Sequence, residues 1–153
     1  MQTFLPYADF ELSAKSLDRQ RLGKQRVEGM QIINAIENPI KQGWQNHPCV
    51  TMWRPYPTAL KQYTNIMMAE WIKQGYRNTM MFYAEPFQED FELPFWLGDN
   101  RIHSSHRSNL LRKDYDYYRQ HKWNDNPQSG YIWHDLDNLF YEQVSGTKER
   151  IYL

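Results

Sequence analysis

The stretch Leu17-Asp-Arg-Gln-Arg-Leu-Gly-Lys-Gln-Arg-Val-Glu28 holds the residues most capable of chemistry. On a helix, Arg21, Lys24, Gln25 and Glu28 fall at i, i+3, i+4 and i+7, one polar stripe beside a buried one. A carboxylate set among cations is suited to stabilising a positively charged intermediate. The plainer alternative is a solvated helix face with a Lys24–Glu28 pair. Two features pull against it. The charge is lopsided rather than alternating, and Gly23 and Gly29 interrupt the helix, where alanine would be better by roughly 0.8–1 kcal/mol each. Glycine at these places suggests that another backbone passes close by.

Two further clusters could serve a ligand. Gly43 to Tyr56 places His47, Trp53, Arg54 and Tyr56 between two expected helices; a histidine there can be a structural hydrogen-bonder or a catalyst. In Arg101 to Lys113, His103 and Arg107 share one helical face, as do His106 and Lys113. Ser104 and Ser105 are expected at the start of that helix, where free backbone N–H groups attract phosphate. Tyr115, Tyr117, Tyr118, Arg119, Lys122 and Trp123 follow, interleaving aromatic and basic residues in a composition suited to tracking a nucleic-acid backbone. His103 and His106 have no Cys partner and no HExxH spacing, so no metal site is expected. The chain contains no Walker A loop, GxGxxG, GxSxG or CxxC, which removes the common nucleotide-hydrolase, dinucleotide, esterase and thiol-redox readings.

These clusters have to be positioned by helices. A short turn is expected from Asp9 to Leu17 and a long helix from Asp18, a good N-cap, to Asn38, before the terminator Pro39. Its buried stripe is Leu22, Gly29, Ile33 and Ile36, with Val27, Met30 and Ile32 beside it. A second long helix is expected from Thr58 to Gly75, with Leu60, Tyr63, Met67 and Trp71 inward. A third is expected from Ser104 or Ser105 to His121, with Leu110 and Leu111 inward. The connector from Thr79 to Asn100 reads as a long ordered loop clamped by Phe82, Phe87, Phe91, Phe95 and Trp96. Asn124–Gly130 reads as another loop, and Asp135–Val144 as a further short helix. No segment alternates cleanly enough for a strand. The fold class expected is all-α, a single-domain helical bundle over residues 1–153 with long ordered loops.

The whole chain sets bounds. Its 153 residues suit one domain with a sizeable core, and 41% hydrophobic with 24% charged residues is ordinary globular composition. The single cysteine, Cys49, excludes an intrachain disulfide and suits a reducing compartment. The first residues lack the basic and apolar run of a secretory signal, and no apolar stretch reaches a membrane span of about 18–20 residues. A cytoplasmic (nucleoid-associated) monomer is expected. Net charge is zero, which argues against binding nucleic acid by bulk charge. The distribution is nevertheless uneven: seven Lys or Arg against three acids from Lys15 to Arg54, six against two from Arg101 to Trp123, and five acids without a Lys or Arg from Met80 to Asp99. A surface with one anion-facing side is thus permitted.

Taken in order, these stretches resemble the pyrimidine-dimer DNA glycosylase family, whose phage founder is also called endonuclease V. Gln20 to Glu28 resembles the first-helix segment ending in the family's glutamate. Asn46-His-Pro through Tyr63 to Ala69-Glu-Trp-Ile-Lys-Gln-Gly-Tyr76 resembles its second helix. His106 to Lys113 with the tyrosines after it resembles its last helix and aromatic tail. The resemblance implies an enzyme that kinks duplex DNA at a cyclobutane dimer, extrudes a base and attacks deoxyribose C1′ with the chain's own α-amine. The resulting Schiff base then cuts the strand by β-elimination. An α-amine suits the step because an appreciable fraction is unprotonated at neutral pH. Glu28 is the carried-over glutamate and Met1 supplies the amine, or Gln2 if Met1 is removed. Arg21 stands where the family has a DNA-contacting histidine; the family's arginine before the glutamate is Val27 here, with Arg26 one residue earlier. The DNA-facing set expected is Arg21, Lys24, Arg26, His47, Arg54, His106, Arg107, Arg112 and Lys113. The partner is double-stranded DNA with damaged pyrimidines, and no cofactor or metal is expected. Two other readings stay open. One is a nucleotide- or modified-base-processing enzyme with Glu28 as acid/base; the other is a non-enzymatic nucleic-acid-binding module.

Overall fold

Asp9, Asp18, Asp99 and Asp114 each accept a backbone N–H at a helix start, which explains why helices begin where they do. The computed structural model describes residues 1–40, 43–84, 87, 91–127, 130–134, 139–142 and 150–153. Their elements are α1 (Phe10–Ser16), α2 (Arg19–Glu37), α3 (Pro48–Trp53), α4 (Pro57–Lys73), α5 (Asn100–Lys113), α6 (Tyr115–Tyr118), a 3-10 turn (Arg119–His121) and strands β1 (Tyr131–His134), β2 (Leu139–Glu142) and β3 (Arg150–Tyr152). The chain is mostly helical, in keeping with the all-α expectation.

The two long helices fall close to their expected limits, but several details differ. The third helix starts at Asn100 under Asp99, so Ser104 and Ser105 lie inside it: Ser104 Oγ donates to Asp125 and Ser105 Oγ to the Ile102 carbonyl. They therefore offer no helix-start phosphate site. The same helix ends at Lys113, and Asp114 caps a separate turn. Residues 139–142 of the expected Asp135–Val144 helix form β2; 135–138, 143 and 144 lie outside the described residues. The strands make an antiparallel sheet in the order β1-β2-β3, with Ile132 opposite Tyr141 and Tyr141 opposite Ile151. Of the connector aromatics, Trp96 is buried and donates to the Met52 carbonyl, and Phe91 packs on the core, whereas Phe82 and Phe95 are exposed.

Helix α2 packs most extensively on α4. Side chains, not a backbone, account for the two glycines. A Cβ on Gly23 would lie 3.0 Å from the Trp71 ring, and one on Gly29 2.2 Å from Thr64 Oγ1. Leu22, Ile32, Ile33, Leu60, Tyr63 and Met67 fill the contact between the helices, while Val27 is exposed rather than beside the buried stripe.

The segment before α1 has no regular structure. Residues 2–7 run through the core, where unpaired backbone groups would be costly, and side chains satisfy them one by one. Gln25 binds the Gln2 carbonyl and the Phe4 N–H, and the Tyr63 hydroxyl, whose one proton goes to Gln25 Oε1 at 2.6 Å, lies 3.0 Å from the Phe4 carbonyl. His106 Nδ1 accepts the Leu5 N–H at 2.9 Å, and His103 Nδ1 meets the Leu5 carbonyl at 2.7 Å. Because His103 Nε2 accepts from the Gly98 N–H, its proton sits on Nδ1 and is given to Leu5. Arg107 donates to the Pro6 carbonyl, and Ser13 brackets Tyr7. A chain start is ordered when it is tied down in this way.

The histidine clamp makes stability depend on acid. Burial, then His103 and Arg107, pushes the His106 imidazole down to about 3 from 6.5, and burial lowers His103 too. A folded pKa below the unfolded one gives stability that is present above pH 6.5 and lost as pH falls toward 3, by up to ~1.4 kcal/mol per pH unit for a buried group. Thermal melting from pH 7 to 4 should therefore show a steep fall that His106→Gln, which still accepts from Leu5 but cannot titrate, makes shallower. Identical slopes for both proteins would mean that the clamp does not carry the acid sensitivity.

Candidate active site

The polar stripe of α2 and the chain start meet in one cavity of about 300 Å³, lined by Met1, Gln2, Phe4, Gln20, Arg21, Lys24, Gln25, Glu28, Lys113 and Tyr131. Helical spacing alone puts Arg21, Lys24 and Glu28 on its wall. Tertiary packing adds Met1 from the tied-down segment, Lys113 from the end of α5 and Tyr131 from β1. On the far side of the same wall lies an open hollow of about 660 Å³, which shares Gln20, Lys24 and Glu28 and ends at Trp71.

Glu28 is half-buried, and its Oε2 accepts from Gln25 Nε2 at 2.8 Å. Met1 is half-buried and packs on the core. The Cys49 thiol feels both the chain's amino group, which lowers its pKa, and Glu28, which raises it; burial dominates and pushes it up to about 12. The thiol is therefore protonated and inert at neutral pH. Partial desolvation, then Arg112, Arg21 and Lys24, lowers Lys113, while Glu28 opposes them. Burial pushes the Tyr131 hydroxyl up to about 12, so it remains a proton donor. The cavity is thus lined by Met1, two lysines and an arginine together with one carboxylate, an arrangement that attracts anions and can stabilise a cation formed near the carboxylate.

Arg21, half-buried, reaches Asp18 at 3.1 Å and also lines the cavity. Arg112 is exposed and donates to Asn109 Oδ1 at 3.2 Å. The other expected DNA contacts stand elsewhere. Arg26 lies 4.3 Å over the Trp71 ring and donates to Asn78 at 2.7 Å. His47 caps α3 by accepting from Cys49 and packs on Trp133. Arg54 donates to the Gln45 carbonyl at 2.5 Å. His106 is buried between Phe4 and Tyr131. Arg107 is spent on Asp125 at 2.7 Å, Pro6 at 2.8 Å and Asn100 at 3.1 Å. Arg26, His106 and Arg107 brace segments far along the chain, whereas His47 and Arg54 bond nearer residues, and charge or type alone does not reveal either. Gln20, Gln25 and Tyr131 line the cavity without having been in the expected set. The i+7 stripe already included Gln25, but nothing in the sequence signals Tyr131.

These placements give a contrast to measure. Lys113→Gln should reduce the slope of log affinity against log salt on duplex DNA by about 0.9, the value for one lost phosphate contact. Arg107→Ala should leave that slope alone and instead destabilise the fold by ~2 kcal/mol, because it strands Asp125 and the Pro6 carbonyl. A salt titration and a denaturant titration of both variants check it. The reverse pattern would place the DNA on the other side of α5.

Among the described residues there is no cluster of three metal-ligating side chains, and no helix is long and apolar enough to cross a membrane. Comparison with curated proteins and with solved structures finds no match. A family description, pyrimidine dimer DNA glycosylase, matches residues 1–84, the part that contains the tied-down chain start, α1 to α4 and the whole polar stripe. With 84 of 153 residues matched, the chain belongs to the pyrimidine dimer DNA glycosylase family.

Proposed function

We propose that the chain removes a damaged pyrimidine from duplex DNA through an imine formed by its own α-amine, and then cuts the strand. One observation carries the reading: the half-buried Glu28 and the chain start line the same cation-rich cavity. Gln2, 5% exposed, has a bulk that disfavours removal of the methionine before it, so the amine is that of Met1. In the first step the amine nitrogen bonds to C1′, and the C1′–N1 electrons go to the pyrimidine, which takes up a proton at N1 and stays joined to its neighbour through the cyclobutane ring. Opening of the sugar ring converts the adduct to the imine. Loss of a C2′ proton and departure of the 3′ phosphate then break the C3′–O bond. Glu28 faces the positive charge at C1′ and accepts the proton shed by the attacking amine. Arg21, Lys24 and Lys113 hold the phosphates beside the reacting sugar.

The test is a duplex carrying one cyclobutane pyrimidine dimer at a defined position. Cleavage of one C1′–N1 bond and a strand break at the dimer are expected, with the displaced pyrimidine still joined to its neighbour until the dimer is photoreversed, and with the undamaged duplex intact. Binding without any break would favour the non-enzymatic reading, and a break at a different modified base would favour the other enzyme.

A further inference from the structure

We infer that Gln25 is a positioning residue that sets the α-amine of Met1 at its working place beside Glu28; the inference rests on the function proposed above. Gln25 is 1% exposed, and all four hydrogen-bonding positions of its amide are filled. Nε2 donates to Glu28 Oε2 at 2.8 Å and to the Gln2 carbonyl at 2.9 Å. Oε1 accepts the Phe4 N–H at 2.9 Å and the Tyr63 hydroxyl at 2.6 Å. The Phe4 N–H can only donate, and the Gln2 carbonyl can only accept, so the amide has a single workable orientation. One side chain therefore holds, on the same nitrogen, the carboxylate and the second peptide group after the amine.

A glutamine needed only to satisfy the buried segment would have no reason to spend a proton on Glu28, which can reach water at the cavity. Misplacing reacting groups by about 1 Å costs on the order of 10²-fold in rate. Gln25 fixes that separation through two bonds from one atom, with Tyr63 of α4 fixing Gln25 in turn. Its neighbour Gln2 has a buried Nε2 without a partner among the described residues, while Thr3 Oγ1 accepts from Trp53 Nε1.

The test compares the full chain with Gln25→Met and Gln25→Glu on duplex DNA carrying an abasic site. It reads the single-turnover rate of the borohydride-trapped adduct, the dissociation constant, and the folded fraction by circular dichroism. Gln25→Met keeps the length and loses the bonds. It should slow trapping about 100-fold per folded molecule with affinity changed by less than about threefold. Gln25→Glu should be partly rescued where its carboxyl is protonated, since one O–H can still donate to Glu28. Its rate relative to the unaltered chain should fall as pH rises from about 5.5 to 8. The other charged or titratable groups near position 25 are Glu28, Tyr63, Cys49, the amino group and, in the same cavity, Arg21, Lys24, Lys113 and Tyr131; all are present in both proteins, so the new carboxyl is the one titrating group that differs between them. An unchanged trapping rate, a rate loss matched by the loss of affinity, or a pH-independent ratio would overturn the inference. Where Gln25→Met does not fold, the ratio for Gln25→Glu decides. An unaltered chain that forms no adduct would instead overturn the proposed function.

Discussion

Replacing Glu28 by glutamine is expected to slow cleavage of the damaged pyrimidine's C1′–N1 bond by on the order of 10²–10⁴-fold, the usual worth of a positioned acid–base group. The substitution is mild for the fold. A glutamine oxygen can still accept from Gln25 Nε2, the bond Glu28 Oε2 makes now, and the side chain is only half-buried. It is severe for the reaction, because the neutral amide neither balances the charge that develops at C1′ nor takes a proton from the amine. Removing the single negative charge from a cavity that also holds Arg21, Lys24 and Lys113 should leave DNA affinity equal or slightly tighter. Single-turnover cleavage of the C1′–N1 bond, with the base freed by photoreversal of the dimer and affinity measured alongside, checks both halves. Full turnover in Glu28→Gln would reduce Glu28 to a solvated helix residue and favour a binding module.

Acetylating the α-amine should have the largest effect of all, because it removes the nucleophile rather than its helper. Adduct formation should vanish, and base release should fall at least as far as in Glu28→Gln. Binding should weaken only by the loss of one charge among several. This experiment is informative because the cavity offers a rival. Lys113 lines it too, and its partial desolvation and cationic neighbours lower its pKa, as activated lysines require. Acetylated protein that still turns over would transfer the nucleophile to Lys113 or Lys24. Protein that falls silent, while Lys113→Gln keeps most of its rate at low salt, confirms the amine. The two variants together separate attack from phosphate binding.

How much of this was legible in the sequence depended on whether an interaction was local. Asp18 announced α2 and Gly75 closed α4 because caps and glycine turns act within a few residues. The stripe of Arg21, Lys24, Gln25 and Glu28 was legible for the same reason, since one helix fixes their spacing. Charge was a poorer guide. Arg26, Arg107 and His106 looked like DNA contacts, yet they bond Asn78, Pro6 and Leu5, partners 52, 101 and 101 residues away. No periodicity records which cation will be used to satisfy a buried backbone. The start of α5 was misplaced because Ser104 and Ser105 are plausible caps and Asp99, five residues earlier, is a better one. Strand β1 escaped notice because four residues are too few to show alternation; it is held by β2 and by Ser105 Oγ, which accepts the Ile132 N–H.

The central claim is that the amino group of Met1 attacks the sugar, and one measurement addresses it directly. The full chain is mixed with duplex DNA bearing a single cyclobutane dimer, borohydride is added during turnover, and the trapped complex is digested and mapped by mass spectrometry. Borohydride reduces an imine to a stable amine, so only an amine–aldehyde intermediate is captured. The account predicts one covalent complex, with the sugar remnant on the peptide that begins at Met1 and at its α-nitrogen. A remnant on Lys113 or Lys24, or base release with no trapped complex, would contradict it.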